Sequence, residues 1–459
     1  MIKQFTQKEH YFEYFLLLFI ALQPVLDLLT SLSINMLHMS ATFGVVVRFA
    51  VMAVVLIYLF INWKQPNNKK YLVYICLLGV TLGAGFLNNM LVKHPFALGE
   101  EVKFVAKCMY PTVMLFGYIL VFQTLRDKQH AYHKMLRYFL YAVLFMSIVM
   151  VVSIATGTDY KSYPWGKLGS KGWFYAANEL SAILAITLPV VALYSVHKTT
   201  SFAKAYYWIP TMLAVYASMM VGTKVGYGAI ILTLGVALVF SFIEHMMNRK
   251  EVTKGTKPLV NTIISLVMLG GVFAITPMTP IAKNMGIHLQ MYAYKKEISD
   301  EKARKEGKTV KEEKPKNGEL TQDEVNSLIY SDRDKFLKVH KKYFKEAPMS
   351  QKLLGMGYAS NYKKTPKMVE MDFYDLFFSF GIIGFIMYLL PFAYFGIRLA
   401  IRVFTNFKSI LTTKYMLLAS ALVLALGIAY TAGHVFTAPA VSIFFVVVLA
   451  YLIVDLEAE

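Results

Sequence analysis

The chain has 459 residues, of which 57% are hydrophobic and only 16% are charged. Soluble domains carry about 25% charged residues, so this composition, with a mean hydropathy of +0.49, excludes an ordinary soluble core. The formal net charge of +19 would indicate a nucleic-acid partner in a soluble protein, but here we attribute it to cytoplasmic loops and one long basic loop.

The apolar residues fall in blocks of about 20, the length that crosses a hydrocarbon core of about 30 Å. We therefore predict an all-α polytopic membrane protein with about 12 transmembrane helices. The first span follows Lys3 and Lys8 without a small-residue cleavage site, which indicates a retained span. The predicted spans are 12–32, 41–62, 71–91, 104–124, 136–156, 174–196, 205–222, 225–243, 258–276, 371–397, 414–432 and 436–455.

The loops between these spans alternate in charge. Every second loop is basic, whereas the short loops opposite, such as 33–40 and 431–436, carry little or no lysine or arginine. Basic loops stay in the cytoplasm, so both termini are predicted to be cytoplasmic. The chain then divides into helices 1–9 (1–276), a large extracytoplasmic loop (277–370) and helices 10–12 (371–459). The basic loops are 62–70, 125–134, 197–204, 244–257 and 398–408.

The long loop has two parts. Residues 294–324 mix both charge signs with few apolar residues, which predicts a mobile or solvated segment, either a lid or an unstructured insertion. In 331–348, Phe336, Val339 and Tyr343 repeat at helical spacing, between a Ser331 N-cap and Pro348. This pattern predicts an amphipathic helix at the outer membrane surface.

Charged residues inside the spans are informative because each is costly in a membrane. Arg48 lies deep in the second span and needs either a structural partner, such as Asp27, or a polar cavity. Asp372 and Asp375 begin the tenth span, where a helix N-terminus favours anions. The others near the outer ends are Lys103, Lys107, Lys224 and His434.

Each of these residues has an ordinary interpretation. Lysines near helix ends usually extend to the interface, and His434 suits an interfacial histidine. Together, however, cations from several separate segments share one membrane face with acids among them. This arrangement favours an anionic head group at the outer leaflet, above all a phosphate.

Five stretches follow one recurring order of motifs. They are WGKLGSKGWFYAANELSAILAITLP (165–189) with Asn178, MMVGTKVGYGAIIL (219–232) with Lys224, SDRDKF (331–336) with Arg333, EAPMSQKLLGMGY (346–358), and MDFYDLFFSFGIIGF (371–385). In this order the chain resembles the O-antigen ligase and Wzy-type polysaccharide polymerase superfamily over nearly its whole length. It departs where the family usually has arginine, here Lys224, and where many ligases have histidine, here Asp372.

The resemblance implies a GT-C-type glycosyltransferase in the bacterial cytoplasmic membrane. Its donor would be a glycan on a polyprenyl (undecaprenyl) diphosphate. The other expected partners are a glycan acceptor, the lipid bilayer and other polysaccharide export proteins, with no nucleic acid. The family is thought to need no metal, and no cofactor is implied. The sequence agrees in two respects, because it lacks an outer histidine cluster and has only two cysteines, Cys76 and Cys108.

From this resemblance we expect Arg333, Lys224 and Arg48 to hold the diphosphate and stabilise its growing charge. Lys103 and Lys107 are expected to assist. Asp372, or Glu370 in a shifted register, is the predicted base for the acceptor hydroxyl, unless Asp372 only orients the acceptor or caps the helix.

The favoured function is a polymerase of lipid-linked repeat units. A ligase would instead move the glycan to a lipid, peptidoglycan or protein acceptor. A transporter or flippase would require midplane charges and paired broken helices, which the sequence does not clearly contain. A scaffold in the export machinery would explain the basic loop but not Arg48.

Overall fold

The computed structural model describes residues 10–38, 42–125, 128–163, 166–247, 252–305, 321–331, 333–363 and 365–456. Within these ranges the chain is helical and has no strand, which confirms the predicted all-α class. The first nine helices are α1 (Tyr11–Leu37), α2 (Phe43–Ile61), α3 (Asn68–Val92), α4 (Leu98–Thr124), α5 (Lys128–Ala155), α6 (Ala177–Lys198), α7 (Ile209–Val221), α8 (Lys224–Met247) and α9 (Val252–Ile275). The others are α10 (Pro280–Lys305), α11 (Gln322–Tyr330), α12 (Arg333–Glu346), α13 (Met349–Leu354), α14 (Asp372–Thr405), α15 (Phe407–Ile410), α16 (Thr413–Thr431) and α17 (Pro439–Leu456).

Eleven helices in the described part of the chain are long and apolar enough to cross a membrane, so the protein is a polytopic membrane protein. The predicted span at 205–222 differs from the others. It is a 3₁₀ helix, Phe202–Trp208, that continues directly into the 13-residue α7. This segment is not among the eleven candidate spans, so the described part of the chain has one candidate fewer than the twelve predicted.

The centre of the bundle consists of α4, α6 and α17. Their most apolar windows are 78%, 89% and 94% buried, against 28% for α2, α3 and α9, which therefore lie at the rim. Small residues permit close packing: a Cβ on Gly117 of α4 would lie 2.5 Å from Val55 Cγ1 of α2.

One end of the bundle carries the segment between α9 and α14, and we call it the loop end. Two buried ionic side chains anchor this segment. Lys93 Nζ lies 2.5 Å from Glu101 Oε1 and donates to the Tyr358 carbonyl at 2.7 Å, while Glu101 Oε2 accepts from the Tyr358 N–H at 2.8 Å. The two charges satisfy each other and fix the backbone around Tyr358, a contact that the sequence did not indicate.

The Leu-Leu-Gly-x-Gly stretch fits into a break in α14. Gly381, at φ 66° and ψ −171°, interrupts that helix and frees carbonyl groups of its first turns. The N–H groups of Met356 and Gly357 donate to the carbonyls of Phe378 and Ser379 at 2.8 and 3.0 Å. A Cβ on Gly355 would overlap Ser379, so glycine is required where the two backbones cross.

Helix α12 confirms the predicted amphipathic helix, but of its three predicted apolar residues only Tyr343 packs against a buried apolar cluster. His340, rather than Val339, is the buried residue, with 1% of its surface exposed. Its Nδ1 lies 2.6 Å from Ser360 Oγ, and its Nε2 lies 2.9 Å from the Lys367 carbonyl oxygen. Leu337 and Phe344 pack in a small second core. The apolar face of α12 is therefore covered by the protein itself.

The predicted mixed-charge segment is only partly described. Its start belongs to α10 and its end to α11, whereas residues 306–320 lie outside the described residues. Ser331, the predicted N-cap of the next helix, has φ 50° and ends α11 instead.

Candidate functional site

Two neighbouring cavities lie at the loop end and collect most of the predicted charged residues. The cation cavity, of about 220 Å³, is named for Lys167, Lys224 and Arg333 on its wall. The mixed-charge cavity, of about 260 Å³, is named for the lysines and glutamates that share its wall. Glu370 and His434 line both cavities, and we call this pair the partition.

The cations of the cation cavity come from three separate elements. Lys167 lies in the loop before α6, Lys224 begins α8 and Arg333 begins α12. They face the carboxylate of Glu370, so positive charge is in excess on the described wall. Converging lysine and arginine side chains are the usual protein ligands of phosphate oxygens. The cavity can therefore hold an anion with more than one negative charge.

Arg333 has hydrogen-bonding capacity left for such an anion. Its Nη2 lies 3.5 Å from Glu370 Oε2, but its buried Nε has no hydrogen-bond partner. Burial lowers the pKa of Arg333, with Glu370 and Asp375 acting in the opposite direction, and an arginine remains charged at physiological pH. A buried donor without a partner costs about 1–3 kcal/mol, which an incoming phosphate oxygen would offset.

Lys224 is positioned by a hydrogen bond to α11 and by the fixed turn that precedes it in the chain. Its Nζ donates to the Leu328 carbonyl at 2.5 Å. The turn before it is fixed by Asn284, whose Nδ2 donates to the carbonyls of Leu168 and Gly222 at 2.6 and 2.9 Å. Asn284 was missed in the sequence because nothing local distinguishes it, yet it joins the loop that carries Lys167 to the turn that carries Lys224.

The mixed-charge cavity offers different chemistry. Lys103 and Lys107 lie one turn apart on α4, and Glu100 and Glu179 add carboxylates. The rings of Phe104 and Tyr358, which also line the cavity, have centroids 5.6 Å apart. Carboxylates accept hydrogen bonds from hydroxyl groups, and aromatic rings provide apolar faces, so this wall suits a polyhydroxylated molecule.

The partition combines two residues in an unusual backbone conformation. Glu370 has φ 64° and His434 has φ 68°, both positive for non-glycine residues. Glu370 is ion-paired with Lys367 and Arg333. Burial by itself would raise the pKa of Glu370, but these two cations outweigh burial and hold its pKa below the usual range. His434 Nε2 is buried and has no hydrogen-bond partner.

The position of Asp372 argues against its predicted role as a base. Its carboxylate is fully buried and accepts four hydrogen bonds, from the N–H groups of His434 (3.0 Å), Val435 (2.7 Å) and Phe436 (2.8 Å) and from the Thr437 hydroxyl (2.8 Å). These donors occupy the lone pairs that a base would need. Asp372 also lines the mixed-charge cavity, but its carboxylate is engaged by the turn between α16 and α17.

Asp375 caps the start of α14, as its ordinary interpretation predicted. It is 3% exposed and accepts from the N–H groups of Val369 and Met371 at 2.8 and 3.0 Å. These are donors at a helix start that have no partner within the helix.

Arg48 was predicted to bind the diphosphate, but it is not among the residues that line either cavity. It is 3% exposed; its Nη2 donates to Asp27 at 2.7 Å, and its Nε donates to Gln23 Oε1 at 2.8 Å. The structural pairing with Asp27 is confirmed. The charge is deep in the membrane span because it has these partners.

The fold brings the remaining predicted residues to two places. In the cation cavity are Asn178, Lys224, Arg333, Glu370 and His434. In the mixed-charge cavity are Lys103, Lys107, Asp372 and Asp375, again with Glu370 and His434. Lys167 was missed although it lies in the glycine-rich stretch that leads to Asn178, and its charge was a usable signal. Glu100 and Glu179 were missed as well; each lies in the first turn of an apolar helix.

Comparison with known proteins gives one family. The family model described as O-antigen ligase like membrane protein matches residues 9–459, nearly the whole chain. No curated protein matches the chain.

Proposed function

The chain belongs to the O-antigen ligase-like membrane proteins, and from that premise we propose that it is a glycosyltransferase with a lipid-diphosphate donor. The family supports a membrane enzyme that acts on lipid-linked glycans. The observation that carries the finer proposal is the convergence of Lys167, Lys224 and Arg333 on one cavity beside a second, hydroxyl-binding cavity.

The donor diphosphate binds in the cation cavity. When the bond between the sugar and the diphosphate breaks, negative charge grows on the leaving oxygen, and positioned cations stabilise that charge. Arg333 offers a planar, forked set of donors for two phosphate oxygens, whereas Lys224 supplies a point charge. We therefore assign Arg333 the larger effect.

The acceptor glycan binds in the mixed-charge cavity. Its reacting hydroxyl meets the anomeric carbon at the partition, because Glu370 and His434 line both cavities. Holding the two substrates on either side of one wall turns a bimolecular encounter into a positioned reaction.

The donor lipid, the enzyme type and the membrane are assigned from the same premise, which is membership of this family. The donor lipid is a polyprenyl diphosphate, the enzyme is of the GT-C type and needs no metal, and it works in the bacterial cytoplasmic membrane with the loop end outside. Segment 277–370 completes a site whose other walls come from 1–276 and 371–459.

Polymerisation of repeat units is the reaction we favour. The reason is the resemblance to the family, in which many ligases carry a histidine at the position of Asp372. A ligase with a different acceptor is the second candidate, since the donor side would be identical. A transporter would need paired broken helices, but among the described helices only α14 contains a non-helical residue, Gly381, close to the loop end.

Incubating the purified protein with a defined lipid-diphosphate oligosaccharide tests the proposal. A ladder of products indicates a polymerase, and one shifted band that requires a second acceptor indicates a ligase. Absence of any transferred glycan, with substrate and protein intact, would contradict both.

Arg333→Ala and Arg333→Lys test the donor site in the same assay. We expect Arg333→Ala to lower product formation by at least about 10²-fold, and Arg333→Lys to keep part of the activity. Lys338→Ala is the matched control, because Lys338 is on the same helix but 79% exposed. Full activity and donor affinity in Arg333→Ala would exclude Arg333 from the donor site.

A further inference from the structure

We propose that His434 accepts the proton of the acceptor hydroxyl. This proposal rests on the proposed glycosyltransfer and reassigns to His434 the step first expected of Asp372, whose carboxylate already accepts four hydrogen bonds. His434 lies between α16 and α17, outside every motif that the family resemblance marked.

The first reason is position. His434 lines both cavities, so its side chain lies on the wall between the donor site and the acceptor site. Its Nε2 is buried and has no partner in the protein. A buried ring nitrogen without a partner is unfavourable unless a ligand completes its hydrogen bonding, and an acceptor hydroxyl would donate to it.

The second reason is the backbone that carries His434. Its φ of 68° is uncommon for a residue with a side chain, and such strain persists only where the surroundings enforce it. Asp372 enforces it, because its carboxylate accepts from the N–H groups of His434 and the two residues that follow. Asp372 is thus a positioning residue for His434.

The third reason is that the acids beside His434 are engaged by other groups, while Glu100 and Glu179 line only the mixed-charge cavity and not the wall shared with the donor site. Asp372 has four donors on its carboxylate, and Asp375 has two backbone donors. Glu370 is paired with Arg333 and Lys367, and carboxylates held by cations are weak bases. An imidazole is the commonest general base in enzymes that act near neutral pH.

The proposed step forms one bond at the anomeric carbon and breaks another. The acceptor oxygen forms a bond to the anomeric carbon while the bond from that carbon to the diphosphate oxygen breaks, and the electron pair leaves with the diphosphate. The hydroxyl proton moves to His434 Nε2, and the imidazolium later releases it to water. Arg333 and Lys224 face the leaving group on the other side of the partition.

The variants His434→Gln and His434→Ala, with His94→Gln as control, test the proposal with the full-length protein and a lipid-diphosphate oligosaccharide. His94 is an exposed histidine at the loop end that lines neither cavity. We expect both His434 variants to lose at least about 10²-fold in turnover while donor affinity and melting temperature stay near wild type. Added imidazole should restore part of the activity of His434→Ala.

The outcomes separate this proposal from the one on which it rests. Wild-type turnover in His434→Gln, with an active wild-type protein, would overturn the base assignment and leave the glycosyltransfer standing. Loss of donor affinity in the variants, without rescue by imidazole, would also overturn it and make His434 a donor ligand. An inactive wild-type protein would remove the proposed function itself.

Discussion

Replacing Asp372 by asparagine separates a structural role from a catalytic one. The two side chains have the same shape, but the asparagine amide has one oxygen and an NH₂ group in place of two oxygens. In the protein, Oδ2 accepts from Val435 and Phe436, and Oδ1 accepts from His434 and Thr437. One of these two pairs must therefore lose its acceptor.

The expected loss of stability follows from the less costly of the two orientations of the asparagine amide. With the amide oxygen facing Val435 and Phe436, the Thr437 hydroxyl can rotate and accept from the NH₂ group, but the His434 N–H cannot. One buried N–H without an acceptor costs about 1–3 kcal/mol, and weakening the other bonds by loss of charge adds about 1 kcal/mol. We expect Asp372→Asn to lower the free energy of unfolding by about 2–4 kcal/mol.

The assay is thermal unfolding of the purified protein in detergent, with glycan transfer measured on the same preparations. Thr437→Val is the control, since it removes one donor and leaves three N–H groups on the carboxylate, and we expect about 1 kcal/mol. Wild-type stability of Asp372→Asn would refute the structural role. A turnover about 10²-fold lower in that stable protein, together with full activity of His434→Gln, would restore Asp372 as a base.

Two further predictions concern the loop segment. Gly355→Ala should lower the free energy of unfolding by at least about 2 kcal/mol, because φ is 94° there and a Cβ would overlap Ser379. Gly99→Ala is the control, because a Cβ at Gly99 meets open space. Equal melting temperatures of the two variants would contradict the packing of Gly355 against α14. Burial lowers the pKa of His340, opposed by its hydrogen bond to the Lys367 carbonyl, so the unfolded chain binds more protons and stability should fall as pH drops below about 6.5. Melting temperatures at pH 7.5 and 5.5 should show a smaller acid loss in His340→Gln than in wild type, and equal losses would exclude this histidine as the cause.

Much of the fold could be predicted from the sequence because crossing a membrane is a local requirement. A stretch of about 20 apolar residues must satisfy its backbone within itself, and only a helix does so. The spans, the helix at Arg333–Glu346 and the Asp375 cap follow from such local patterns. The predicted span at 205–222 is not among the eleven candidates, because its first part forms a 3₁₀ helix, Phe202–Trp208, and leaves a helix of only 13 residues.

The candidate site depended on contacts between distant segments. The charge of Arg48 or of Asp372 can be read from the sequence, but whether that charge faces a substrate or a structural partner cannot. The packing of α1 on α2 gives Arg48 its partner, and the packing of α14 beside the 434–437 turn gives Asp372 its partners. Likewise Lys167 and Lys224 meet across one cavity through Asn284, which has no local signature.

The sequence by itself determined a helical membrane protein in which most charged residues within the spans lie near one end. The tertiary structure decided which of those charges are consumed by one another and which, such as Arg333 and His434, keep an atom without a partner at a cavity wall. The physical reason is that the hydropathy which favours a membrane span depends only on a short stretch of chain. The desolvation of a charge depends instead on every element that packs around it.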